Sequence, residues 1–281
     1  MKLLYPFARR FIAGYDFNSA IKPIQSLIDE GYEVSVNFVG EQNKSYSDCK
    51  RAFKEYLRVI KHFKKDKIDI SIKPSQVGIL FDEEIAYNYL RRLALRAKDN
   101  GHTVRLDMED SSVTGVTIDL AIRLNKEFNN TGVAIQTNLV RSIKDIEKLI
   151  ERGVSIRLVK GAYEEKEEIS TPEEETIPIF IYEARMLTFK SQAYRPAIAT
   201  HDERIIDIVS LKIDPEGKIF DYEFLYGVRR DLQRELKSRG YRVRIYIPFG
   251  ENWLSYTLRR LKEWRNLKFV ISNIFKEFFK K

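Results

Sequence analysis

Residues 132–160 read GVAIQTNLVRSIKDIEKLIERGVSIRLVK, and this stretch shows the pattern that decides the fold. A short apolar run, Gly132–Thr137, is followed by a helical segment, Ile143–Arg152, and then by a second apolar run, Ser155–Lys160. The apolar residues of the helical segment recur at the spacing of one helical face, and they are Ile143, Ile146, Leu149 and Ile150. A strand, a helix and a strand in this order indicate a βαβ unit with parallel strands.

The same alternation continues along the chain on both sides of this unit. The candidate strands are Glu33–Val39, Asp69–Lys73, Thr103–Met108, Gly132–Thr137, Ser155–Lys160, Pro196–His201, Asp221–Tyr226 and Arg242–Pro248. The candidate helices are Tyr46–Lys64, Glu84–Ala97, Val116–Phe128, Ile143–Arg152, Ile179–Ser191, Glu203–Ile213, Arg230–Ser238 and Trp253–Trp264. This is the element count of a closed barrel. An open, doubly wound sheet with a nucleotide site would carry a glycine-rich first turn, and the sequence has no G-x-G-x-x-G.

We therefore predict an α/β protein with a single (β/α)8 barrel domain over residues 1–281. Such a barrel takes roughly 250 residues, and a chain of 281 residues with 43% hydrophobic composition fits one of them. Residues 1–30 are predicted to form a helical lead-in across the bottom of the barrel, and residues 271–281 a short amphipathic C-terminal helix. The acidic segment Glu164–Glu175 is predicted to be an exposed loop after the fifth strand.

The charge and cysteine content exclude some classes of function. The formal net charge is +8, but 49 basic residues are interleaved with 41 acidic ones, so most charges are predicted to lie on a solvated surface. Binding of single-stranded nucleic acid needs clustered positive charge with stacking aromatics, and we predict no such partner. Cys49 is the only cysteine and the three histidines are far apart, which predicts a cytoplasmic protein without a metal site. The composition is also typical of heat-adapted proteins.

In a β/α barrel the active site lies at the carboxyl ends of the strands. Reactive or hydrogen-bonding residues end most of the predicted strands, and they include Lys73, Asp107, Met108, Gln136, Arg157, Lys160, Tyr163, Thr200, His201, Glu223, Tyr226 and Tyr246. So many such residues on one rim predict a functional site there. Lys73 and Lys160 are each either a lysine that extends to solvent or a charge that faces a ligand. Arg105 and Asp107 share one face of their strand, which predicts an inward Arg–Asp network, and Glu109 and Asp110 are predicted to cap the next helix.

Residues 256–264 read YTLRRLKEW, the sharpest local feature of the sequence. The spacing places four side chains on one helical face, and they are Tyr256, Arg259, Arg260 and Glu263. Paired guanidinium groups bind a carboxylate or phosphate through two bonds each, and a neighbouring glutamate holds them in orientation. Taken alone, these residues favour the alternative, a solvated Arg/Glu face on an outer helix.

Several motifs together resemble the proline dehydrogenase family. In chain order they are RLDMEDS (105–111), RLVKGAY (157–163), ATHDERII (199–206), EFLYGVRRDLQ (223–233), RIYIPFGENW (244–253) and YTLRRL (256–261). The resemblance covers roughly residues 30–270. It implies a distorted barrel that binds FAD without a covalent link and oxidises L-proline to 1-pyrroline-5-carboxylate. Hydride would pass from C5 of proline to N5 of the flavin, and the electrons would go on to a quinone.

The resemblance also implies a role for individual residues. Those matching flavin-binding positions are Met108, Gln136, Arg157, Lys160, Gly161, Ala162, Thr200 and His201. Those matching the substrate pocket are Lys73, Leu225, Tyr246, Tyr256, Arg259, Arg260 and Glu263, with the two arginines holding the proline carboxylate. The implied catalytic residues are Asp107, Tyr163 and Lys73. The sequence departs from the family at Glu223, where glutamine is frequent, at Asn138, where an aromatic residue is frequent, and near Asn37, where aspartate is frequent.

Two other functions stay open at this point. One is a barrel lyase or aldolase that uses Lys160 or Lys73 as a Schiff-base lysine. The other is a basic binding protein without enzymatic activity. The C-terminal helix has alternatives as well: its apolar face, formed by Ile271, Ile274, Phe275, Phe278 and Phe279, packs on the barrel or makes a weak peripheral contact with an anionic membrane.

Overall fold

The computed structural model describes residues 9–40, 42–189 and 192–254, and its centre is a closed barrel of eight parallel strands. The strands are β1 (Glu33–Phe38), β2 (Asp69–Ile72), β3 (Thr103–Leu106), β4 (Thr131–Gln136), β5 (Ser155–Val159), β6 (Ala197–Ala199), β7 (Asp221–Leu225) and β8 (Arg242–Phe249). Each strand pairs with the next one in the chain, and β8 pairs with β1 to close the barrel. The predicted (β/α)8 barrel and its eight strands are therefore confirmed.

The helices of the described residues lie outside this barrel. They are α1 (Phe17–Asp29), α2 (Tyr46–His62), α3 (Glu83–Asp99), α4 (Ser111–Phe128), α5 (Ser142–Glu151), α6 (Glu173–Met186), α7 (Glu203–Ile208) and α8 (Arg230–Ser238). A π-helical turn, Val209–Ile213, continues α7, and a 3₁₀ turn, Pro74–Val77, follows β2. The predicted helix Trp253–Trp264 and the predicted C-terminal helix fall almost entirely outside the described residues.

The strand sequences explain why the apolar core lies between barrel and helices. Side chains alternate between the two faces of a strand. In β3, Val104 and Leu106 are buried in the apolar core cluster, whereas Arg105 makes ionic contacts with a residue of β2. The other strands repeat this pattern, so the helices pack on an apolar outer wall and the barrel interior is left polar. Such an interior is unusual, because barrels of this type are commonly filled by branched apolar side chains.

The N-terminal lead-in is helical, as predicted, but its position differs from the prediction. Ala13 donates a backbone hydrogen bond to Pro248 (2.9 Å), so the segment before α1 starts at the carboxyl end of β8. α1 then contacts β1 and β8 and buries Phe17 and Ile24. The helix therefore covers the outer wall between β8 and β1. The sequence places an apolar face on this helix but does not show which end of the barrel it approaches.

The segment after β5 also differs from the prediction. A helix was expected at Ile179–Ser191 and an exposed loop at Glu164–Glu175, but α6 begins at Glu173 and ends at Met186. Three glutamates occupy its first turn, where the helix dipole favours negative charge. Pro178 lies inside the helix, a position that normally costs about 3 kcal/mol. The buried Phe180 and Glu183 help to hold the helix in place despite this cost.

Candidate active site

The barrel interior contains two groups of charged side chains, one above the other. The lower cluster consists of Asp69, Arg105, Asp221 and Arg244, which lie toward the amino ends of their strands. The upper cluster consists of Asp107, Arg157, Glu223 and Tyr246, which lie toward the carboxyl ends. Both clusters face the barrel interior. Arg105 and Asp107 both lie there, as predicted, but they belong to different clusters: Arg105 pairs with Asp69, and Asp107 pairs with Arg157.

The lower cluster is a buried ionic network that reaches the surface through the part-exposed Arg242 and Glu33. Arg105 Nε donates to Asp69 Oδ2 (3.0 Å), and Arg244 Nη2 donates to Asp221 Oδ2 (2.6 Å). Burial alone would raise the pKa of Asp69, but the guanidinium groups of Arg105, Arg244 and Arg157 outweigh it and lower that pKa to about 2. Asp69 therefore stays charged, because it lies beside cations.

Arg157 is the centre of the upper cluster. Its Nε donates to Glu223 Oε2 (2.7 Å) and its Nη1 to Asp107 Oδ1 (2.6 Å), while Nη2 donates to Ser71 Oγ (2.9 Å) and Ser35 Oγ (3.1 Å). Burial acts to lower the pKa of Arg157, but the neighbouring carboxylates raise it above its ordinary value. The result is a fixed, permanently charged guanidinium in the middle of the barrel.

Tyr246 completes the upper cluster on the side of β8. Its hydroxyl donates to Asp107 Oδ2 (2.7 Å), so Asp107 bridges Arg157 and Tyr246. The Arg157 guanidinium lies over the Tyr246 ring at 5.3 Å from the ring centre, close enough for a cation–π interaction. Leu225 stands in register beside Tyr246 on the adjacent strand β7. A tyrosine ring and a leucine side chain thus lie next to each other at the carboxyl rim.

A third group forms at the end of β2, where Lys73 is buried with 7% of its surface exposed. Glu109 accepts hydrogen bonds from the backbone N–H and the hydroxyl of Ser75, at the start of the 3₁₀ turn that follows Lys73. Burial raises the pKa of Glu109, and the nearby charge of Lys73 opposes that shift. Glu109 therefore does not cap the helix that follows it, contrary to the prediction. Asp110 does cap α4, by accepting from the backbone N–H of Ser112 (3.0 Å).

Gln136, the last residue of β4, ties together the segments that follow β3 and β5. Its Nε2 donates to the Glu109 carbonyl (3.0 Å), and its Oε1 accepts from the backbone N–H of Ala162 (3.1 Å). Gly161 has φ +126°, and a Cβ at this position would clash with the side chain of Asn138. The backbone there requires glycine both for its conformation and for space. Lys160 Nζ, on the same loop, lies 3.4 Å from Asp202 Oδ2.

The loops after β6 and β7 meet at His201. Its Nε2 accepts from the backbone N–H of Leu225 (3.1 Å), which fixes the imidazole on the rim. The preceding residue, Thr200, accepts at Oγ1 from the backbone N–H of Asp202 (3.1 Å). Asp202 also caps α7 through the N–H of Arg204. The motif residues of β6 and β7 therefore form one connected edge of the site.

The structure brings together most of the residues that the sequence singled out. On the described part of the rim lie Lys73, Asp107, Met108, Gln136, Arg157, Lys160, Gly161, Ala162, Tyr163, Thr200, His201, Leu225 and Tyr246. Met108 differs from its neighbours, because it is buried in the apolar core cluster. The residues predicted to bind the substrate carboxylate lie outside the described residues, and they are Tyr256, Arg259, Arg260 and Glu263.

No helix among residues 9–40, 42–189 and 192–254 has the length and apolar character to cross a membrane, and no group of His, Cys, Asp and Glu there is arranged to hold a metal ion.

Two residues of the site, Ser35 and Ser71, were not predicted from the sequence, and Glu109 was given a different role. Ser35 and Ser71 are uncharged, yet the hydroxyl oxygen of each accepts a hydrogen bond from Arg157. Glu109 accepts a hydrogen bond from Ser75, which lies 34 residues earlier in the chain. The two serines had a detectable signal, since each alternates with β-branched residues and therefore shares the inward face of its strand. The contact of Glu109 had none, because it depends on how β2 and β3 are placed side by side.

The fold and the rim define the class of this protein first: a β/α-barrel enzyme with a buried cation–carboxylate site at the carboxyl ends of its strands. The sequence pattern of the family described as proline dehydrogenase matches residues 20–271. The chain is 35% identical to a proline dehydrogenase of Deinococcus radiodurans over 287 residues, which covers 97% of this chain and 91% of that protein. It is 33% identical to proline dehydrogenase 1 of Bacillus subtilis subsp. natto over 277 residues, with 96% and 91% covered. The chain belongs to the proline dehydrogenase family.

A solved structure supports the fold independently. The crystal structure of proline utilization A from Bdellovibrio bacteriovorus, inactivated by N-propargylglycine, superposes with a TM-score of 0.84 at 23% identity. The match covers 92% of this chain and 33% of that one, so this chain spans about a third of the length of that protein. The family and the barrel that the sequence motifs predicted are both confirmed.

The described residues fit a flavin on two counts. Glu223 Oε1 and Asn138 Oδ1 are buried without a hydrogen-bond partner among the described residues, so each can accept from a ligand. Small side chains flank Arg157, which stands in register with Ala134 on one side and Ala197 on the other. Gly161 makes room for the side chain of Asn138, which carries one of these acceptors. Acceptors of this kind, with small side chains beside Arg157, would suit such a cofactor.

Proposed function

We propose that this protein oxidises L-proline to 1-pyrroline-5-carboxylate, with FAD bound non-covalently at the carboxyl rim and a quinone as electron acceptor. When bound, the flavin supplies at N5 the acceptor for the hydride that leaves C5 of proline. The observation that carries the proposal is the upper cluster, in which Asp107 joins Arg157 to Tyr246 in a barrel of this family. The proposal assigns each of these residues one part of the reaction.

Arg157 supplies a positive charge that does not have to move during the reaction. All three of its nitrogens are held by hydrogen bonds within the barrel. A preorganised charge of this kind stabilises negative charge as it develops, without a cost for reorienting solvent. Reduction of a flavin adds negative charge to the ring. We assign Arg157 to stabilise that added charge.

Tyr246 and Leu225 form the wall against which the pyrrolidine ring packs. They stand in register on neighbouring strands, and Tyr246 is held by its hydroxyl bond to Asp107. Packing of this kind fixes the ring and excludes water from the reacting carbon. Orientation of two reacting groups can supply on the order of 7 kcal/mol of a barrier.

Lys73 is assigned to keep the substrate nitrogen neutral, with its extra proton released to solvent, and Asp107 is assigned to position the groups around it. Proline must lose its extra N–H proton before hydride leaves C5. The buried ammonium of Lys73 disfavours a second cation beside it, which promotes the neutral amine. Tyr163 follows Gly161 and Ala162 on the same loop and is half-buried, so we assign it to the substrate pocket with Lys73 and Asp107.

The carboxylate of proline is assigned to the arginines of the YTLRRL motif. Arg259 and Arg260 would bind it, with Tyr256 and Glu263 holding them in orientation. The support for this assignment is the motif in the sequence and its match to the family over residues 20–271. We further propose that the protein is cytoplasmic and that residues 271–281 either pack on the barrel or make a weak peripheral contact with the membrane that contains the quinone.

The test of the proposed function uses the purified full-length chain. We expect a yellow protein whose FAD is released by acid, and whose visible flavin band bleaches when L-proline is added without oxygen. The product should react with o-aminobenzaldehyde, which detects the cyclic imine. A colourless protein that cannot be reconstituted with FAD would sink the proposal. Borohydride trapping of a carbonyl substrate on Lys160 or Lys73 would instead favour a Schiff-base lyase.

A further inference from the structure

One carboxylate oxygen of Glu223 accepts a hydrogen bond, and the other accepts none from the described residues. Oε2 accepts from Arg157 Nε at 2.7 Å, and Oε1 is buried without a partner among the described residues. The residue is only 2% exposed. Leaving a buried polar atom unpaired costs about 1–3 kcal/mol, so such an atom calls for an explanation.

The charges around Arg157 do not balance. Asp107 and Glu223 both contact its guanidinium directly, and Asp69 lies 3.5 Å from Nη2. Arg105 and Arg244 also share the charge of Asp69, as its lowered pKa shows. Arg157 is the guanidinium that hydrogen-bonds to both Asp107 and Glu223. Arg244 stands in register with Glu223 on β8 and also acts on it through its charge, but its own hydrogen bonds to a carboxylate go to Asp221. The upper cluster therefore carries one more negative charge than the pairing of Arg157 with Asp107 alone would give.

Glu223 is the member of this cluster that the catalytic assignment does not need. Asp107 is already engaged by Tyr246 and Ser71, and it holds the substrate side of the cluster. Glu223 stands on β7 in register with Ala199, whose small side chain leaves room beside it. A glutamine here would keep the shape and one hydrogen-bonding oxygen but would carry no charge.

We propose that Glu223 lowers the midpoint potential of the bound flavin. Its carboxylate partly neutralises the positive charge of Arg157 and adds a negative charge beside the site. This inference rests on the proposed function. A carboxylate disfavours the added electron density of a reduced flavin, and at short range in a buried site the effect is strong. A lower potential makes the reduced enzyme a better donor to its acceptor and makes proline oxidation itself less favourable. Glu223 is thus a positioning residue that acts through Arg157.

The experiment compares the wild-type holoenzyme with Glu223→Gln, Glu223→Asp and Asp221→Asn, using redox titration against reference dyes. For Glu223→Gln we expect the ratio of reduced to oxidised flavin at a fixed potential to rise about tenfold, or about 30 mV for a two-electron couple. Glu223→Asp keeps the charge and should stay near wild type. Asp221→Asn removes the same charge from the same strand, two residues nearer the amino end, and should leave the potential almost unchanged.

The outcomes separate this inference from the function on which it rests. An unchanged potential in Glu223→Gln, in a protein that binds FAD and oxidises proline, overturns the inference alone. An equal shift in Asp221→Asn also overturns it, because the effect would then be one of net charge. A wild-type protein that does not bind FAD overturns the proposed function instead. If Glu223→Gln fails to fold, the potential of Glu223→Ala, refolded with FAD, decides the matter by the same criterion.

Discussion

The lower and upper clusters are built from the same kinds of residue, yet they differ in how their groups are used. In the lower cluster Arg105 and Arg244 each contact an aspartate that is fully buried, and Arg105 also lies over the ring of Tyr194. In the upper cluster Arg157 contacts two carboxylates, one of which holds a half-buried tyrosine at the rim. The lower cluster connects to ion pairs at the amino ends of the strands, whereas the upper cluster leads to the carboxyl rim.

This difference shows why a buried ion pair does not by itself reveal its purpose. Desolvation offsets much of the attraction in such a pair, so both clusters are weak evidence for stability. Position decides between the two roles: the carboxyl ends of barrel strands carry function, and the amino ends carry stability. The contrast therefore predicts that equal substitutions in the two clusters will have unequal effects on folding and on catalysis.

The largest effects should come from replacing one arginine in each cluster by methionine. Arg157→Met removes the cation shared by Asp107 and Glu223, so we expect turnover to fall at least about a hundredfold, equal to about 2.7 kcal/mol, along with weaker FAD binding. The measurements are steady-state kinetics at saturating FAD and the dissociation constant of FAD. An active Arg157→Met variant with normal FAD binding would contradict the assigned role.

Arg105→Met is the matched control in the lower cluster. It leaves Asp69 with less compensation, so we expect the free energy of unfolding to fall by about 3 kcal/mol. Activity per bound flavin should remain close to wild type, because the upper cluster keeps all its direct contacts. The measurement is chemical unfolding followed by circular dichroism. If Arg105→Met loses activity while keeping its stability, the division between the clusters is wrong.

The second prediction concerns acid. Burial alone would raise the pKa of Asp69, but the three nearby guanidinium groups lower it to about 2, below its ordinary value of 3.8. Its contribution to stability is therefore complete above about pH 4 and is lost as the pH falls toward 2. We expect a loss of about 2–3 kcal/mol over this window. Unfolding free energies measured at several pH values should show a smaller slope in Asp69→Asn than in wild type.

The third prediction tests the residues that the sequence assigns to the substrate carboxylate. Arg259→Met and Arg260→Met each remove a charge-assisted hydrogen bond worth about 1.5–3 kcal/mol. We expect the KM for proline to rise roughly 10- to 100-fold while FAD stays bound. Arg204→Met is a suitable control, since Arg204 is an exposed arginine that pairs with Asp202. Unchanged KM values in both variants would contradict this assignment and favour the alternative, in which the motif forms a solvated face of an outer helix.

The barrel could be predicted from the sequence because the alternation of outward apolar and inward polar residues is visible within each strand. The runs around β4 and β5 and the helix between them needed no information from elsewhere in the chain. The start of α6 could not be predicted in this way, because the acidic run Glu164–Glu175, with Pro172 in it, indicates an exposed loop. What holds that helix includes the burial of Phe180 and Glu183 against other elements, and this depends on tertiary packing.

The residues of the site also differ in whether they could be predicted from local sequence or depend on tertiary packing. Its members at strand ends, such as Asp107, Arg157 and Tyr246, could be predicted from their positions once the barrel was recognised. Their partners could not, since Arg157 reaches Ser35 across 122 residues and Glu223 across 66 residues. The assignment of Glu109 failed for the same reason, because a local cap and a contact with Ser75 look alike in the sequence.

The smallest predicted effect is that of Tyr246→Phe. The change removes the hydroxyl that donates to Asp107 at 2.7 Å and keeps the ring that lies over Arg157 and beside Leu225. A bond to a charged group contributes about 1.5–3 kcal/mol, but Asp107 keeps its contacts with Arg157 and Ser71, so we expect kcat/KM for proline to fall about fivefold, or about 1 kcal/mol. Tyr246→Ala also removes the wall for the pyrrolidine ring and should cost at least about tenfold more. If the two variants lose equal activity, the hydroxyl bond to Asp107 matters and the ring does not, and the assignment of Tyr246 to ring packing fails.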